Sequence, residues 1–193
     1  MAHPSHGAPY HAVQFYATDE GLFSTASAFL AEGLVAGEPA MIIASAAHCE
    51  GLLQQLSARL IHVERARRNG ALLVLDANEM LARFMVDGVP DPERFDTSIA
   101  RFIAQVMPGR PHSALRAYGG MVDILWQQGQ TAAAIRLEVL WNKLAARFGL
   151  ALLCGYAMGG FCKEVAQLQD ICSHHTHIFG PERASPFNKP VTH

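Results

Sequence analysis

Residues 115–144 read LRAYGGMVDILWQQGQTAAAIRLEVLWNKL, and this stretch decides the fold that the sequence predicts. A short apolar run ends at Tyr118 and is followed by Gly119 and Gly120, and glycine lets a backbone come close to a neighbour. The periodicity then becomes helical, because an apolar stripe of a helix from Thr131 to Phe148 contains Leu137, Trp141, Leu144 and Phe148. A buried strand followed by an amphipathic helix is the unit of an α/β sheet protein.

Glu138 is the unusual charge of this helix, because it falls on the flank of the apolar stripe. Arg136, Lys143 and Arg147 fall on the solvent side of the same helical wheel. A carboxylate at the border of a core needs a partner. Glu138 is therefore predicted to be either a structural ion-pair member or a site group, with the structural interpretation favoured.

The rest of the chain repeats the same order of strand and helix. Five apolar runs are each followed by a helical pattern, and they cover residues 12–16, 40–44, 71–75, 114–118 and 150–154. This alternation predicts a mainly parallel sheet with right-handed crossovers, of five strands or slightly more. One domain over residues 10–179 is expected, with flexible termini at 1–9 and 180–193.

The composition excludes several classes of function. The 193 residues are 50% hydrophobic and 17% charged, with a formal net charge of -2. A net negative charge does not attract a polyanion such as nucleic acid, so direct nucleic-acid binding is not expected. There is no signal-peptide pattern and no apolar run of membrane-spanning length, so a cytoplasmic protein without a membrane partner is expected.

A ligand of an open parallel sheet binds beyond the carboxyl ends of its strands, which selects the residues that follow each apolar run. Tyr16, Tyr118 and Tyr156 either line an amphipathic pocket there or close the top of the core, and both interpretations stay open. The other ligand-binding candidates are Ser45, His48, Asp76, Arg116, Gly119 and Glu138.

Several of these candidates also have a structural interpretation. Asp76 with Glu79 has the form of a capping box, which is favoured over a metal or ribose contact. Ser45 is a plausible helix cap, and His48 one turn later points towards the ligand crevice. His11 stands at the opposite end of the first strand, so a structural role is expected for it.

The segment after the first strand lacks a phosphate-binding loop. Such a loop needs glycine-rich backbone and a lysine around the phosphates. The chain instead has ATDEGLFS at residues 17–24, with two acids and no lysine, which would repel a triphosphate.

The cysteine and histidine pattern gives a weak indication of metal binding. Cys172, His174, His175 and His177 are zinc-type ligands close together near the carboxyl end of the chain. On a continuous helix, however, Cys172 and His175 share the apolar face, so a core role is favoured and no metal or cofactor is predicted. Cys49, Cys154 and Cys162 also lie in or beside apolar segments and are interpreted as reduced core thiols, with a disulfide between two of the four cysteines as the alternative.

Several segments together resemble the MEDS domain, the methanogen/methylotroph sensory domain. They are HAVQFY (11–16), FLAEGLVAGEPAMIIAS (29–45), LLVLDANEMLARFMVDGVPD (72–91), RAYGGMVDILWQQG (116–129), AAIRLEVLWNKL (133–144), LLCGYAM (152–158) and ICSHHTH (171–177). The resemblance implies a RecA/KaiC-like three-layer α/β sandwich that has lost its nucleotide loop and is used as a sensory input module.

The chain departs from the family pattern in two ways. Gly120 stands where the family usually has a glutamate, so the ligand chemistry is expected to differ if that carboxylate shapes the pocket in relatives. Such domains are often joined to a DNA-binding or histidine-kinase module, and this chain has neither. A signal is therefore expected to pass through a partner protein or a homo-oligomer.

The leading hypothesis is a non-enzymatic sensory domain that binds a small, weakly polar molecule, with Arg116 as a charge partner of Glu138 or Asp123. One alternative is an enzyme or residual nucleotide-binding protein in which Glu138 and Asp76 provide acid-base or magnesium chemistry. Another is an interaction adapter without a ligand, which uses an exposed apolar strip near Met121, Ile124 and Trp126.

Overall fold

The computed structural model describes residues 10–107, 115–160 and 165–180. The strands are β1 (Tyr10–Tyr16), β2 (Ala40–Ala44), β3 (Leu72–Asp76), β4 (Met85–Val86), β5 (Val89–Pro90), β6 (Leu115–Gly119), β7 (Leu150–Ala157) and β8 (His177–Phe179). The α-helices are α1 (Asp19–Val35), α2 (Ala46–Ala58), α3 (Val63–Arg68), α4 (Ala77–Phe84), α5 (Pro92–Val106), α6 (Met121–Gln127), α7 (Thr131–Phe148) and α8 (Val165–Ser173).

Six strands form one sheet in the order β3-β2-β6-β7-β1-β8, and every neighbouring pair in it is parallel. The α/β fold class predicted from the alternating pattern is therefore confirmed. The sixth strand, β8, was not predicted, because its three residues lie in a segment that was interpreted as helical. The chain after β3 and α4 forms a small hairpin of β4 and β5, with Asp87 and Gly88 at positive φ as a tight hairpin turn requires.

Helices cover both faces of the sheet, which makes the molecule a three-layer sandwich. Alternate strand residues point to opposite faces, so each strand contributes to two cores. One core lies between the sheet and α1, α2 and α3, and it contains Tyr16 and Tyr118. The other lies between the sheet and α4, α5, α6 and α7, and it contains Val13, Cys154 and Tyr156.

Side-chain caps start four of the helices. Thr18, Ser45, Asp76 and Asp91 each accept a hydrogen bond from a backbone N–H in the first turn of α1, α2, α4 and α5. The capping roles predicted for Ser45 and Asp76 are thus confirmed. Helix α7 has the predicted bounds and is followed by Gly149, whose φ of 67° is favourable for glycine.

The apolar strip predicted on α6 is not exposed. Met121 and Trp126 are buried, and Ile124 is half-buried against the same core. The reason is that α6 packs on α7 and β7, which cover its apolar face. No helix in the described parts of the chain is both long enough and apolar enough to cross a membrane. The termini predicted to be flexible lie outside the described residues, except Gly180.

Candidate functional site

Asp123 organises the carboxyl ends of the central strands. Its side chain is only 5% exposed, and its Oδ2 accepts hydrogen bonds from Tyr16 Oη at 2.7 Å and Gln127 Nε2 at 2.8 Å. Its Oδ1 accepts from the backbone N–H of Ala157 at 2.9 Å. One carboxylate on α6 therefore holds the last residue of β1 and the last residue of β7.

His48 and Asp19 form the outer rim of this strand-end region. His48 Nε2 lies 3.3 Å from Asp19 Oδ1, and the two side chains are 17% and 63% exposed. The His48 ring also meets Tyr16 and Phe23 edge to face. The structure thus places His48 beside the end of β1, where the sequence predicted it, and ligand binding by His48 stays a prediction.

Burial controls the protonation of Tyr16. Burial and the hydrogen bond to Asp123 both raise the pKa of the Tyr16 hydroxyl well above its ordinary value of 10.0. Tyr16 is therefore a neutral hydrogen-bond donor at physiological pH, and Asp123 is its acceptor.

The predicted tyrosines do not share one face of the sheet. Tyr16 and Tyr118 belong to the core beneath α1 and α2, whereas Tyr156 belongs to the core beneath α7. All three side chains are buried. Tyr118 has room because its neighbour is Gly155, where an added Cβ would lie 2.9 Å from Tyr118 Oη. A ligand-binding role for these tyrosines remains a prediction.

Glu138 is the centre of a second, fully buried polar cluster. Its Oε1 accepts a hydrogen bond from Tyr156 Oη at 2.8 Å and lies 3.5 Å from His175 Nε2. Its Oε2 lies 3.2 Å from His11 Nε2 and accepts from Cys154 Sγ at 3.5 Å. The Glu138 side chain is 0% exposed. The Glu138 that the sequence placed on the flank of α7 is thus a core residue with polar partners.

The two histidines of this cluster are oriented by further hydrogen bonds. His175 Nδ1 lies 2.7 Å from the carbonyl oxygen of Ile171. His11 Nδ1 lies 2.9 Å from Asn142 Oδ1, and Asn142 Nδ2 donates to the carbonyl oxygen of His174 at 2.9 Å. Both rings therefore point their Nε2 atoms at the Glu138 carboxylate.

Burial and the neighbouring groups determine the pKa values of the two acids of this cluster, Glu138 and Cys154. Burial opposes ionisation of Glu138, but the His11 and His175 rings, whose Nε2 atoms face the carboxylate, outweigh it and hold the pKa of the carboxyl well below its ordinary value. The pKa of the Cys154 thiol is raised, first by burial and then by the Glu138 charge. Without another cation, Cys154 is therefore a neutral thiol.

Arg116 lies away from both clusters, so its predicted pairing with Glu138 or Asp123 is wrong. Its guanidinium donates to Glu38 Oε2 at 2.7 Å, to Glu32 Oε2 at 3.2 Å and to the carbonyl oxygen of Phe29 at 2.9 Å. The physical reason is strand geometry, because Arg116 stands near the amino end of β6. Gly33 of α1 leaves space for it, since an added Cβ there would lie 2.6 Å from Arg116 Cδ.

The remaining predicted site residues have mainly local roles. Asp76 accepts from the backbone N–H groups of Asn78 and Glu79 at 2.8 and 3.0 Å. It also lines an open groove of about 1500 Å³ beside the edge strand β3, between α2 and α3. Gly119 pairs with Cys154 in the sheet, and Gly120 donates its N–H to the carbonyl oxygen of Ile43 at 2.8 Å.

The buried cluster contains residues that the sequence interpretation separated. His11 and Cys154 were interpreted as structural, and of the four zinc candidates only His175 belongs to the cluster. Helix α8 ends at Ser173, so His175 lies on the link to β8 and not on a helical face as predicted. A usable signal existed, because His11 and Cys154 each interrupt an apolar strand. The strand alternation turns both towards the layer that contains α7.

Comparison with known proteins agrees with this architecture. A crystal structure of a KaiC-like protein from the hyperthermophilic archaeon Pyrococcus horikoshii is similar over 89% of this chain and 70% of that one, with a TM-score of 0.57 and 11% sequence identity. The protein thus has a RecA/KaiC-like α/β fold. The sequence profile of MEDS, the methanogen/methylotroph, DcmR sensory domain, matches residues 10–176, and the chain belongs to this family. Comparison with curated proteins found no match.

Proposed function

We propose that this protein is a non-catalytic sensory domain that binds a small, weakly polar organic molecule at the carboxyl ends of its strands. Occupancy would be passed to a partner protein or to a second copy of the chain by a change in conformation. The membership of a sensory-domain family supports the general role. The observation that carries the proposal is the pair of acids that follows β1, Asp19 and Glu20, at the place where a nucleotide-binding relative of this fold would hold phosphates.

The first turn of α1 opposes anion binding. Asp19 and Glu20 occupy this turn, where their charges compensate the positive end of the helix dipole. The Thr18 side chain caps the same turn by accepting from the Gly21 N–H. Lys143, on α7, is the one lysine among residues 10–107, 115–160 and 165–180. A neutral or cationic molecule therefore suits this end of the sheet better than a triphosphate.

Asp123 provides a route from the strand ends to the helical layer. It binds Tyr16 at the end of β1 and the Ala157 N–H at the end of β7, and it belongs to α6, which packs on α7. A ligand that replaces a hydrogen bond of Tyr16 or Asp123 with one of its own would change the contacts between α6 and the ends of β1 and β7. Such a differential interaction is what a ligand needs to shift a conformational equilibrium.

A thermal-shift panel tests the proposal. Wild type is compared with Asp19→Asn and His48→Gln at the rim, and with Glu64→Gln on α3 as a control, because Glu64 is also exposed at 79%. The panel contains short alcohols, small amines and Mg-ATP. We expect a small organic compound to raise the Tm of wild type and the control, and to have less effect on the rim variants. Equal responses in all four proteins, or no response to any compound, would contradict the proposal.

The rival function is nucleotide binding or catalysis on the same scaffold. The carboxylates it would use are otherwise engaged, since Asp76 caps α4 and Glu138 has no exposed surface. Micromolar binding of Mg-ATP in calorimetry would nevertheless establish the rival. Light scattering with and without the stabilising compound shows whether the response includes association of two chains.

A further inference from the structure

We propose that His11, Glu138, Cys154 and His175 form a binding site for one divalent transition-metal ion, for which zinc is the best match. One ligand atom from each of the four residues lies within 4.8 Å of the others. The ligands come from β1, α7, β7 and the link between α8 and β8. This site is distinct from the strand-end region of the proposed function and does not depend on it.

The distances between the ligand atoms suit a tetrahedral ion. Zinc binds nitrogen and oxygen at about 2.0 Å and sulfur at about 2.3 Å, so neighbouring ligand atoms lie roughly 3.3–3.6 Å apart. His11 Nε2 lies 3.4 Å from Cys154 Sγ and 3.2 Å from Glu138 Oε2. Cys154 Sγ lies 3.5 Å from Glu138 Oε2, and His175 Nε2 lies 3.5 Å from Glu138 Oε1. Three ligand atoms therefore already have the spacing that zinc requires, and the His175 nitrogen lies within 4.8 Å of them.

The hydrogen bonds of the two histidine rings turn their Nε2 atoms towards one point. The carbonyl oxygen of Ile171 only accepts, so the ring proton of His175 is on Nδ1. Asn142 donates through Nδ2, so its Oδ1 accepts from His11 Nδ1. A neutral ring then turns its Nε2 lone pair towards the Glu138 carboxylate, and only a second ring proton or a metal ion at Nε2 makes that contact attractive. A positive ion at the centre satisfies all of these acceptors at once.

His175 provides an independent sign of an unfilled ligand position. Its side chain is 0% exposed, and its Nε2 is buried without a hydrogen-bond partner. Buried polar atoms are nearly always satisfied in folded proteins. Coordination of a metal by this Nε2 would satisfy it.

Charge balance also favours a divalent ion. Glu138 contributes one negative charge, and Cys154 contributes a second when the metal replaces its thiol proton, which is released to solvent. Two neutral histidines then complete a site whose total charge with a divalent ion is zero. This neutrality matters because an uncompensated charge in a fully buried position is strongly unfavourable.

The surroundings have the outer hydrogen bonds that metal ligands commonly have. Both histidines donate their other ring N–H, one to the Asn142 amide oxygen and one to a backbone carbonyl. Tyr156 Oη donates to Glu138 Oε1 and orients the carboxylate. An ion here would connect the segment between α8 and β8, which contains His175, to β1, β7 and α7 through metal coordination.

Metal titration of the full chain tests the site. The protein is treated with a chelator, and zinc or cobalt is added back while metal content is measured by mass spectrometry. We expect one equivalent of either ion, a near-ultraviolet thiolate-to-cobalt absorption, and strong visible bands typical of tetrahedral cobalt. A wild-type protein that binds neither ion, or that binds cobalt without thiolate absorption, would show that the four residues form only a hydrogen-bonded cluster.

Matched variants assign the ligands. Cys154→Ser should lose the thiolate-to-cobalt absorption, whereas Cys49→Ser, at another buried cysteine, should keep it. Asn142→Leu should weaken zinc binding by about 10–100-fold and keep the thiolate absorption, because Asn142 acts through His11. Retention of the absorption in Cys154→Ser, or its loss in Cys49→Ser, would overturn the assignment.

The metal site and the strand-end ligand site can be tested independently of each other. Asp19→Asn changes the rim of the strand-end region and should bind metal normally.

Discussion

Gly155→Ala should destabilise the protein because two buried side chains leave no space for a methyl group. The added Cβ would lie 2.9 Å from Tyr118 Oη and 3.1 Å from Leu22 Cδ1. Neither neighbour can move easily, since both side chains are almost completely buried. Overpacking of this kind costs about 1–3 kcal/mol in the free energy of unfolding.

A control on the neighbouring strand isolates the steric effect. A Cβ added at Gly119 would make only ordinary contacts, the nearest at 3.7 Å, and Gly119 is also a buried strand residue. Gly119→Ala should therefore change stability much less than Gly155→Ala. Tyr118→Phe in the Gly155→Ala background removes the oxygen that makes the closest contact, and it should restore about 1 kcal/mol or more of the loss.

Urea unfolding followed by circular dichroism measures these free energies. The reasoning is refuted if Gly155→Ala is as stable as Gly119→Ala, or if Tyr118→Phe gives no restoration in the double variant. A positive result would show that Gly155 is required for the position of the Tyr118 hydroxyl between the sheet and α1.

Three further predictions concern charge and hydrogen bonding. Arg116→Met should cost up to about 3 kcal/mol of unfolding free energy, because it leaves Glu38 without its buried partner; a loss below about 0.5 kcal/mol in urea would contradict this. Tyr16 keeps its proton in the folded state, whereas the unfolded chain ionises it above pH 10, so the stabilisation present below pH 10 should be lost by about 1.4 kcal/mol per pH unit above it. Tyr16→Phe should reduce the alkaline fall in thermal melts by this share, while the buried Tyr118 and Tyr156, whose pKa values are also raised, keep the rest of it; an unchanged slope would show that Tyr16 ionises freely in the folded protein. Asp76→Ala should cost about 1 kcal/mol through loss of the α4 cap and should leave metal uptake unchanged; loss of metal uptake would show that Asp76 is a ligand.

The fold was largely predictable because its signals are local. Five strands of the main sheet are mostly apolar runs, and α7 begins at Thr131 and ends at Phe148 as its periodicity indicated. Ser45 and Asp76 were recognisable as caps because a cap is defined by the next three residues. Strand β8 was not predictable in this way, since three residues carry no clear alternation and only pairing with β1 makes them a strand.

The candidate sites were predictable only in part. His48 lies beside the end of β1 as expected, since residues that follow parallel strands share one edge of the sheet. Arg116 and Glu138 were expected to meet, but Arg116 points towards α1 and Glu138 belongs to α7 on the other face. Which face a strand residue occupies depends on register, and register depends on the neighbouring strands.

The sequence by itself determined the order of the main strands and helices, the caps of α2 and α4 and the acidic segment after β1, because each of these depends on residues close together in the chain. The tertiary structure decided which distant side chains meet. His11 and Cys154 are 143 positions apart, yet the parallel pairing of β1 with β7 brings their polar atoms within 3.4 Å. A buried cluster of this kind exists only after the sheet order and the packing of α7 are set, since no local pattern encodes the distance between two strands.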